Sequence, residues 1–169
     1  AGDVLEHLAE NLRKRAEETI RELSLTDELT GLRNRRGFLT LAQMEMALIR
    51  RAKRQMALFY IDLDGMKKIN DSFGHTVGDL ALQDVAQILR QTFRESDIIC
   101  RLGGDEFAVL ALETTGRPRE QIVRRLQAKI DSHNNTANRQ YTIAVSVGMI
   151  HVDSGSTITL EALMAQADT

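Results

Sequence analysis

Four carboxylates stand in two short acidic clusters, each at the end of an apolar run: Asp62 and Asp64 close the run 56–63, and Asp105 and Glu106 follow Gly103-Gly104. Two acidic strand ends brought side by side repel unless a divalent cation lies between them. Carboxylates gathered on such a cation suit phosphoryl or nucleotidyl transfer, because the metal neutralises phosphate charge and lowers the pKa of an attacking hydroxyl. Lys67, read as one helical turn beyond Asp62, supplies a point charge for the same phosphates. Asn70 and Asp79 add an amide and a carboxylate, which together can read the polar edge of a guanine. Each group has a plainer meaning when taken alone. Gly-Gly-Asp is a hairpin with a solvated acidic corner, Lys67 a surface lysine, Asn70 a turn former and Asp79 a helix N-terminal acid. The apolar flanks, Arg101 two residues before the turn, and the second acidic pair favour the metal site.

The elements that must position these groups follow from periodicity. Residues 4–23 form one charged helix in which Leu5, Leu8, Leu12 and Leu23 fit a heptad in part, with Arg15 and Thr19 in the intervening positions. It is either a solvent-exposed extension or a dimerising signalling helix. Gly31 marks a break, and Asn34 caps a helix to about Arg54, with Phe38, Leu41, Ala42, Met44 or Glu45, and Leu48 at helical spacing. Met56 to Leu63 reads as a central strand. Residues 65–76 form a short polar helix or turn, and 77–93 an amphipathic helix with Val77, Leu80, Ala81, Val85, Ile88, Leu89 and Phe93 on one stripe. Ile98 to Leu102 and Phe107 to Leu112 read as a hairpin turning at Gly103-Gly104, where positive φ comes without strain. A loop at 114–119, a helix with Ile122, Val123, Leu126 and Ile130 inward, and a polar loop at 132–140 come next. Tyr141 to Ile150 is a strand whose second face, Ala144, Ser146 and Gly148, is small enough for close approach by a helix. A last helix begins near Thr159. The order after the first helix, α-β-α-α-β-β-α-β-α, predicts a sheet with a central hairpin, helices stacked on it, and the acidic strand ends meeting at one edge.

Composition excludes more than it assigns. A chain of 169 residues with a formal charge of −2 suits one domain with an extension, and nothing in that charge points to nucleic acid or an anionic membrane. No apolar run approaches the roughly 20 residues of a membrane-spanning helix, and the N-terminus is no signal peptide. Cys100, in an apolar strand, reads as a buried structural thiol, consistent with a cytoplasmic setting. Asp62-Leu63-Asp64 opens like a calcium loop, but glycine falls at the fourth position and Phe73 stands where glutamate is needed. P-loop and Rossmann glycine patterns are missing, and the scattered histidines do not suggest zinc.

Several spaced motifs together resemble one family. They are 27–36 (Asp-Glu-Leu-Thr-Gly-Leu-Arg-Asn-Arg-Arg), Asp62-Leu63-Asp64 with Lys67 to Asp71, Gly74-His75 with Gly78-Asp79, Gly103-Gly104-Asp105-Glu106-Phe107, and Val145-Ser146-Val147-Gly148. From about Ser24 to the end, the chain resembles the GGDEF domain of bacterial diguanylate cyclases. The resemblance implies domains at 1–23 (signalling or linker helix) and 24–169, and a two-layer α/β fold like the palm of nucleotidyl cyclases and polymerases. It implies condensation of two GTP into cyclic di-GMP and pyrophosphate by a homodimer, with Mg2+ as cofactor and Mn2+ as an alternative. Asp62, the Leu63 carbonyl, Asp105 and Glu106 match the metal site. Asp105 matches the proton acceptor, although the chemistry leaves Asp105 and Glu106 both open. Lys67 matches the lysine that steadies the transition state, Asn70 and Asp79 the guanine readers, and His75 a substrate contact. Gly103 and Gly104 offer bare backbone to the nucleotide, and Arg101 counts as a further substrate-binding residue.

Arg94 and Asp97 match an inhibitory product-binding motif, with Arg124 or Arg125 as a second contact. The family's closing segment stops here at 167–169, which implies a lost triphosphate contact and weaker turnover. An upstream sensory domain is implied in the full-length protein, which is cytoplasmic or the cytoplasmic part of a membrane-attached one. The alternative to a cyclase is a weak or inactive module that binds GTP or cyclic di-GMP and regulates an attached domain.

Overall fold

The computed structural model describes residues 2–112 and 118–167. The expected loop at 114–119 therefore lies mostly outside the described residues. Ten elements follow in order: α1 (Gly2–Leu23), α2 (Arg35–Arg51), β1 (Met56–Leu63), α3 (Met66–Phe73), α4 (His75–Thr92), β2 (Ile98–Gly103), β3 (Glu106–Leu112), α5 (Arg119–Thr136), β4 (Val145–Val152) and α6 (Leu160–Ala167). The strands form one antiparallel sheet in the order β2-β3-β1-β4.

Alternation along the central strands sends successive side chains to opposite faces, and each face has its own core. Phe59, Ile61, Phe107 and Val109 pack with α4 and α5 through Leu82, Val85, Leu89, Leu126 and Ile130. Met56, Leu58, Ala108 and Leu110 pack with α2 and α6 through Phe38, Met46, Leu160 and Leu163. Helices thus cover both faces of the sheet. Burying each large side chain contributes about 1.5–3 kcal/mol, so the two cores fix which way every strand residue points.

Local signals set several boundaries. The Asn34 side chain accepts from Gly37 N and starts α2 as expected. The buried stripe of α2, however, is Phe38, Ala42, Met46 and Ile49, while Met44 and Leu48 are 61% and 57% exposed. The inward face runs through Met46 and Ile49 in place of the expected Met44 or Glu45 and Leu48, because α2 packs on both β2 and α6. The hairpin also differs from expectation. β2 is an edge strand, covered along one side by Arg33, whose carbonyl accepts from Arg101 N at 2.9 Å.

The strand read from Tyr141 begins only at Val145, and the helix before it runs on through Thr136. The physical reason is local. Asn134 donates to the Ile143 carbonyl and accepts from Ile143 N, at 2.9 and 2.8 Å, so that residue needs no strand partner. Tyr141 donates its hydroxyl to the buried Asp84, which Arg139 also grips. The small face at Ser146 and Gly148, expected to meet a helix, is exposed, with open space where a Gly148 side chain would be. α1 packs little of itself away: Val4, Leu5, Leu8, Leu12 and Ile20 are all more than half exposed. No described helix is long and apolar enough to cross a membrane.

Candidate active site

The register of β1 against β3 brings the two acidic clusters together. Asp62 stands directly opposite Glu106, and the Leu63 amide donates to the Asp105 carbonyl at 2.9 Å, extending the ladder by one bond. Two antiparallel neighbours that face each other share a side of the sheet, so Asp62 and Glu106 lie on one face at one end of it. The turn sits one residue later than its sequence suggests. Gly103 pairs with Glu106 after a register shift past Arg101, leaving Gly104 and Asp105 as the turn residues. Gly103 and Gly104 have φ of 151° and 49°, values that side-chain-bearing residues rarely adopt. Asp105 is therefore a turn residue, while Glu106 is the first strand residue of β3.

Asp64 behaves differently from Asp62. Its Oδ1 accepts from the Ser146 hydroxyl at 2.7 Å, and its amide donates to the Ala144 carbonyl at 2.8 Å. It ties β1 to β4 instead of facing the hairpin. Tyr60, which the sequence reading did not single out, donates its hydroxyl to Glu106 Oε2 at 2.9 Å. The alternation of β1 was the available signal, since it puts residues 60 and 62 on one face.

Past β1, a left-handed Gly65 turns the chain into α3. Lys67 is exposed in the first turn of that helix, so a strand end and a turn, not one helical turn, separate it from Asp62. Asn70 lies further along α3, and α4 begins at His75, with His75 and Asp79 exposed. The buried Asn70 Oδ1 has no hydrogen-bond partner among the described residues. A side-chain carbon at Gly78 would lie 1.9 Å from that oxygen, so the bare backbone at 78 seats the amide beside Asp79. A buried polar atom without a partner is costly, and a ligand is one way to satisfy it.

Arg101 points at the turn itself. Its guanidinium donates to the Gly104 carbonyl through Nε and Nη2, at 3.1 and 2.9 Å, and pairs through Nη1 with Asp27 at 3.1 Å. Burial raises the Asp27 pKa, but hydrogen bonds from Thr30 and the Arg101 charge outweigh it and leave the carboxyl below its ordinary value.

Arg94 and Asp97 lie at the other end of β2, roughly 20 Å of strand away at about 3.3 Å per residue. Asp97 is buried, accepting from Arg94 N at 2.9 Å and Leu112 N at 3.1 Å, while the Arg94 side chain is exposed. Both line an open depression of about 600 Å³ together with Arg33, Glu45 and Arg90. Of the two arginines considered on α5, Arg125 reaches α4, donating to the Gln91 carbonyl.

Residues 24–169 match the family described as "Diguanylate cyclase, GGDEF domain". The chain is 35% identical to diguanylate cyclase DgcP of Escherichia coli, over 95% of this chain and 47% of the relative. It is 34% identical to the cyclic di-GMP phosphodiesterase NbdA of Pseudomonas aeruginosa, over 79% of this chain and 17% of that protein. The chain thus spans less than half the length of these curated relatives. Among solved structures, the GGDEF domain of TpbB (YfiN) from Pseudomonas aeruginosa superposes with a TM-score of 0.75 at 31% identity, covering 85% of this chain and 84% of that one.

Proposed function

The chain belongs to the GGDEF family of diguanylate cyclases, and from that premise we propose that it condenses two GTP into cyclic di-GMP, with release of two pyrophosphates, as a homodimer. Each protomer presents one GTP to the other across a two-fold axis. The exposed apolar residues of α1 suit a helix that brings two copies together. The observation that carries the reading is the facing pair Asp62 and Glu106, with Asp105 in the adjoining turn.

The donor set fits Mg2+. That ion is commonly held by one or two carboxylates, with waters and substrate phosphates completing its shell. Among the described residues no three His, Cys, Asp or Glu are gathered as a metal site, so of the expected carboxylate ligands Asp62, Asp105 and Glu106 only Asp62 and Glu106 stand face to face. Bound there, Mg2+ or Mn2+ would neutralise phosphate charge and lower the pKa of the attacking ribose 3′-hydroxyl. Asp62, Glu106 and the Leu63 carbonyl are the ligands in this reading.

Asp105 accepts the hydroxyl proton, since it occupies the turn while Glu106 faces Asp62. Lys67 steadies charge on the phosphates. Asn70 and Asp79 read guanine: a carboxylate accepts from its N1–H and N2–H2, and adenine offers neither donor, so GTP is preferred over ATP. His75 touches substrate, and Gly103 and Gly104 admit it against bare backbone. Arg101 acts on the substrate through the turn it holds. Product inhibition runs through the depression at Arg94, with Asp97 shaping the turn that presents that arginine. Residues 1–23 would serve as the signalling helix and 24–169 as the cyclase, in a cytoplasmic setting downstream of a sensory domain.

Incubation with GTP and Mg2+, with ATP in parallel, tests the reading. Cyclic di-GMP should form from GTP alone, rise faster than linearly with protein concentration, and vanish in Asp105→Ala. A second reading, a module that binds the dinucleotide without making it, draws on the near-equal similarity to a protein named as a phosphodiesterase. No product, together with cyclic di-GMP binding that is lost in Arg94→Ala, would establish that one instead.

A further inference from the structure

Tyr60 has no part in the proposed cyclisation, yet its hydroxyl is bonded to one of the two facing acids. It sits on β1 two residues before Asp62 and opposite Ala108 on β3. Cross-strand diagonal neighbours lie within reach of an aromatic side chain. The residue directly opposite carries only a methyl group, so the ring can lean along the strand toward Glu106. Tyr60 is 7% exposed and packs in the core beneath α2 and α6. That core holds the ring and hence the hydroxyl, which donates to Glu106 Oε2 at 2.9 Å.

We propose that Tyr60 is a positioning residue that presents Glu106 to the divalent cation through a single oxygen. The proposal rests on the cation site of the preceding reading. A glutamate side chain loses conformational freedom when it is pinned; here the hydrogen bond to a packed ring restrains it before ligand arrives. The bond takes one lone pair of Oε2 and holds that oxygen toward the ring, leaving Oε1 the freer of the two for the cation. Mg2+ and Mn2+ take six ligands in compact octahedra, whereas Ca2+ readily accepts both oxygens of one carboxylate. Tyr60 would therefore set Glu106 for the smaller ions and against calcium.

The test measures binding, not turnover. Affinities of the full chain for Mn2+ and Ca2+ are determined in the presence of a GTP analogue with a methylene α–β bridge. Wild type, Tyr60→Phe and Glu106→Gln are compared, with thermal unfolding as the check on folding. Tyr60→Phe keeps the ring and deletes only the donor. Its Mn2+ affinity should fall about tenfold, the low end for loss of a group that orients a ligand, while Ca2+ affinity holds or rises. A purely structural role would weaken both ions alike or neither. An unchanged Mn2+/Ca2+ ratio in Tyr60→Phe, with Glu106→Gln weakened, overturns the role of Tyr60 and leaves the cation site standing. Equal affinities in all three proteins overturn both.

Discussion

Arg101 folds back over the hairpin and grips the Gly104 carbonyl with two donors, Nε at 3.1 Å and Nη2 at 2.9 Å. Gly104 is a turn residue with φ of 49°, next to Asp105. The acidic turn is thus braced by a side chain from its own first strand. Asp27 in turn braces Arg101, and the Thr30 amide and hydroxyl donate to the same carboxylate at 2.9 and 2.7 Å.

Replacing Arg101 should loosen the turn more than it unfolds the protein. Arg101→Ala is expected to cost about 1–3 kcal/mol, the range for hydrogen bonds involving a charged, partly buried group. Cyclisation should fall further than GTP binding does. Arg101→Lys should not rescue it, because an ammonium cannot reproduce the forked grip. Denaturant unfolding and steady-state kinetics on the two variants check both statements.

The same brace carries a pH dependence. The Asp27 carboxyl is held below its ordinary value of 3.8, so the folded state favours its ionised form. Stability from this group is fully present above that value and is lost as pH falls through the lower folded pKa. Acid unfolding of Asp27→Asn should therefore show a shallower loss of stability below about pH 4 than the wild type, whose unfolded carboxyl titrates there.

At Gly78 the expected effect separates stability from recognition. A methyl group would lie 1.9 Å from Asn70 Oδ1 and 3.0 Å from the Met66 methyl, both at the ends of side chains that can move. Gly78→Ala, inside α4, should leave stability within about 1 kcal/mol of wild type, since alanine is the better helix former. It should also swing Asn70 out of place. Guanine nucleotide affinity should drop roughly tenfold or more, as expected for loss of one ligand hydrogen bond. Calorimetric titration with GTP beside a melting curve reads the two effects apart.

Arg94 and Asp97 should part company on mutation. Arg94→Ala removes an exposed side chain and is expected to relieve product inhibition while leaving the melting temperature and initial rate near wild type. Asp97→Ala instead strips acceptors from the partly buried Arg94 and Leu112 amides and should destabilise by about 1–2 kcal/mol, toward the low end of the cost of orphaning a donor. Progress curves with added cyclic di-GMP, run beside thermal melts, distinguish the pair.

Cys100 should be inert in the folded protein. Burial, opposed by Arg35 and aided by Asp27, pushes its thiol up to about 12, and none of the residue is exposed. Alkylation at pH 8 should proceed only at the rate of global opening, and addition of denaturant should release it.

The features legible in the chain alone were those that depend on near neighbours. Apolar runs marked the central strands, Asn34 marked the start of α2, and paired glycines ahead of two acids marked the hairpin. Each rests on backbone preferences acting over a few residues. The composition of the acidic edge was equally plain, as two carboxylate clusters at two strand ends. What spacing could not supply was which partner each group meets. Asp64 points to Ser146, Tyr60 to Glu106 and Arg101 to Asp27, pairs separated by 82, 46 and 74 residues. The bulge before Gly103 moved the turn by one residue, and Asn134 delayed the start of a strand by satisfying Ile143 from a helix. These outcomes belong to tertiary structure, because cross-strand register and side-chain bonds between distant segments follow from how two cores pack against one sheet.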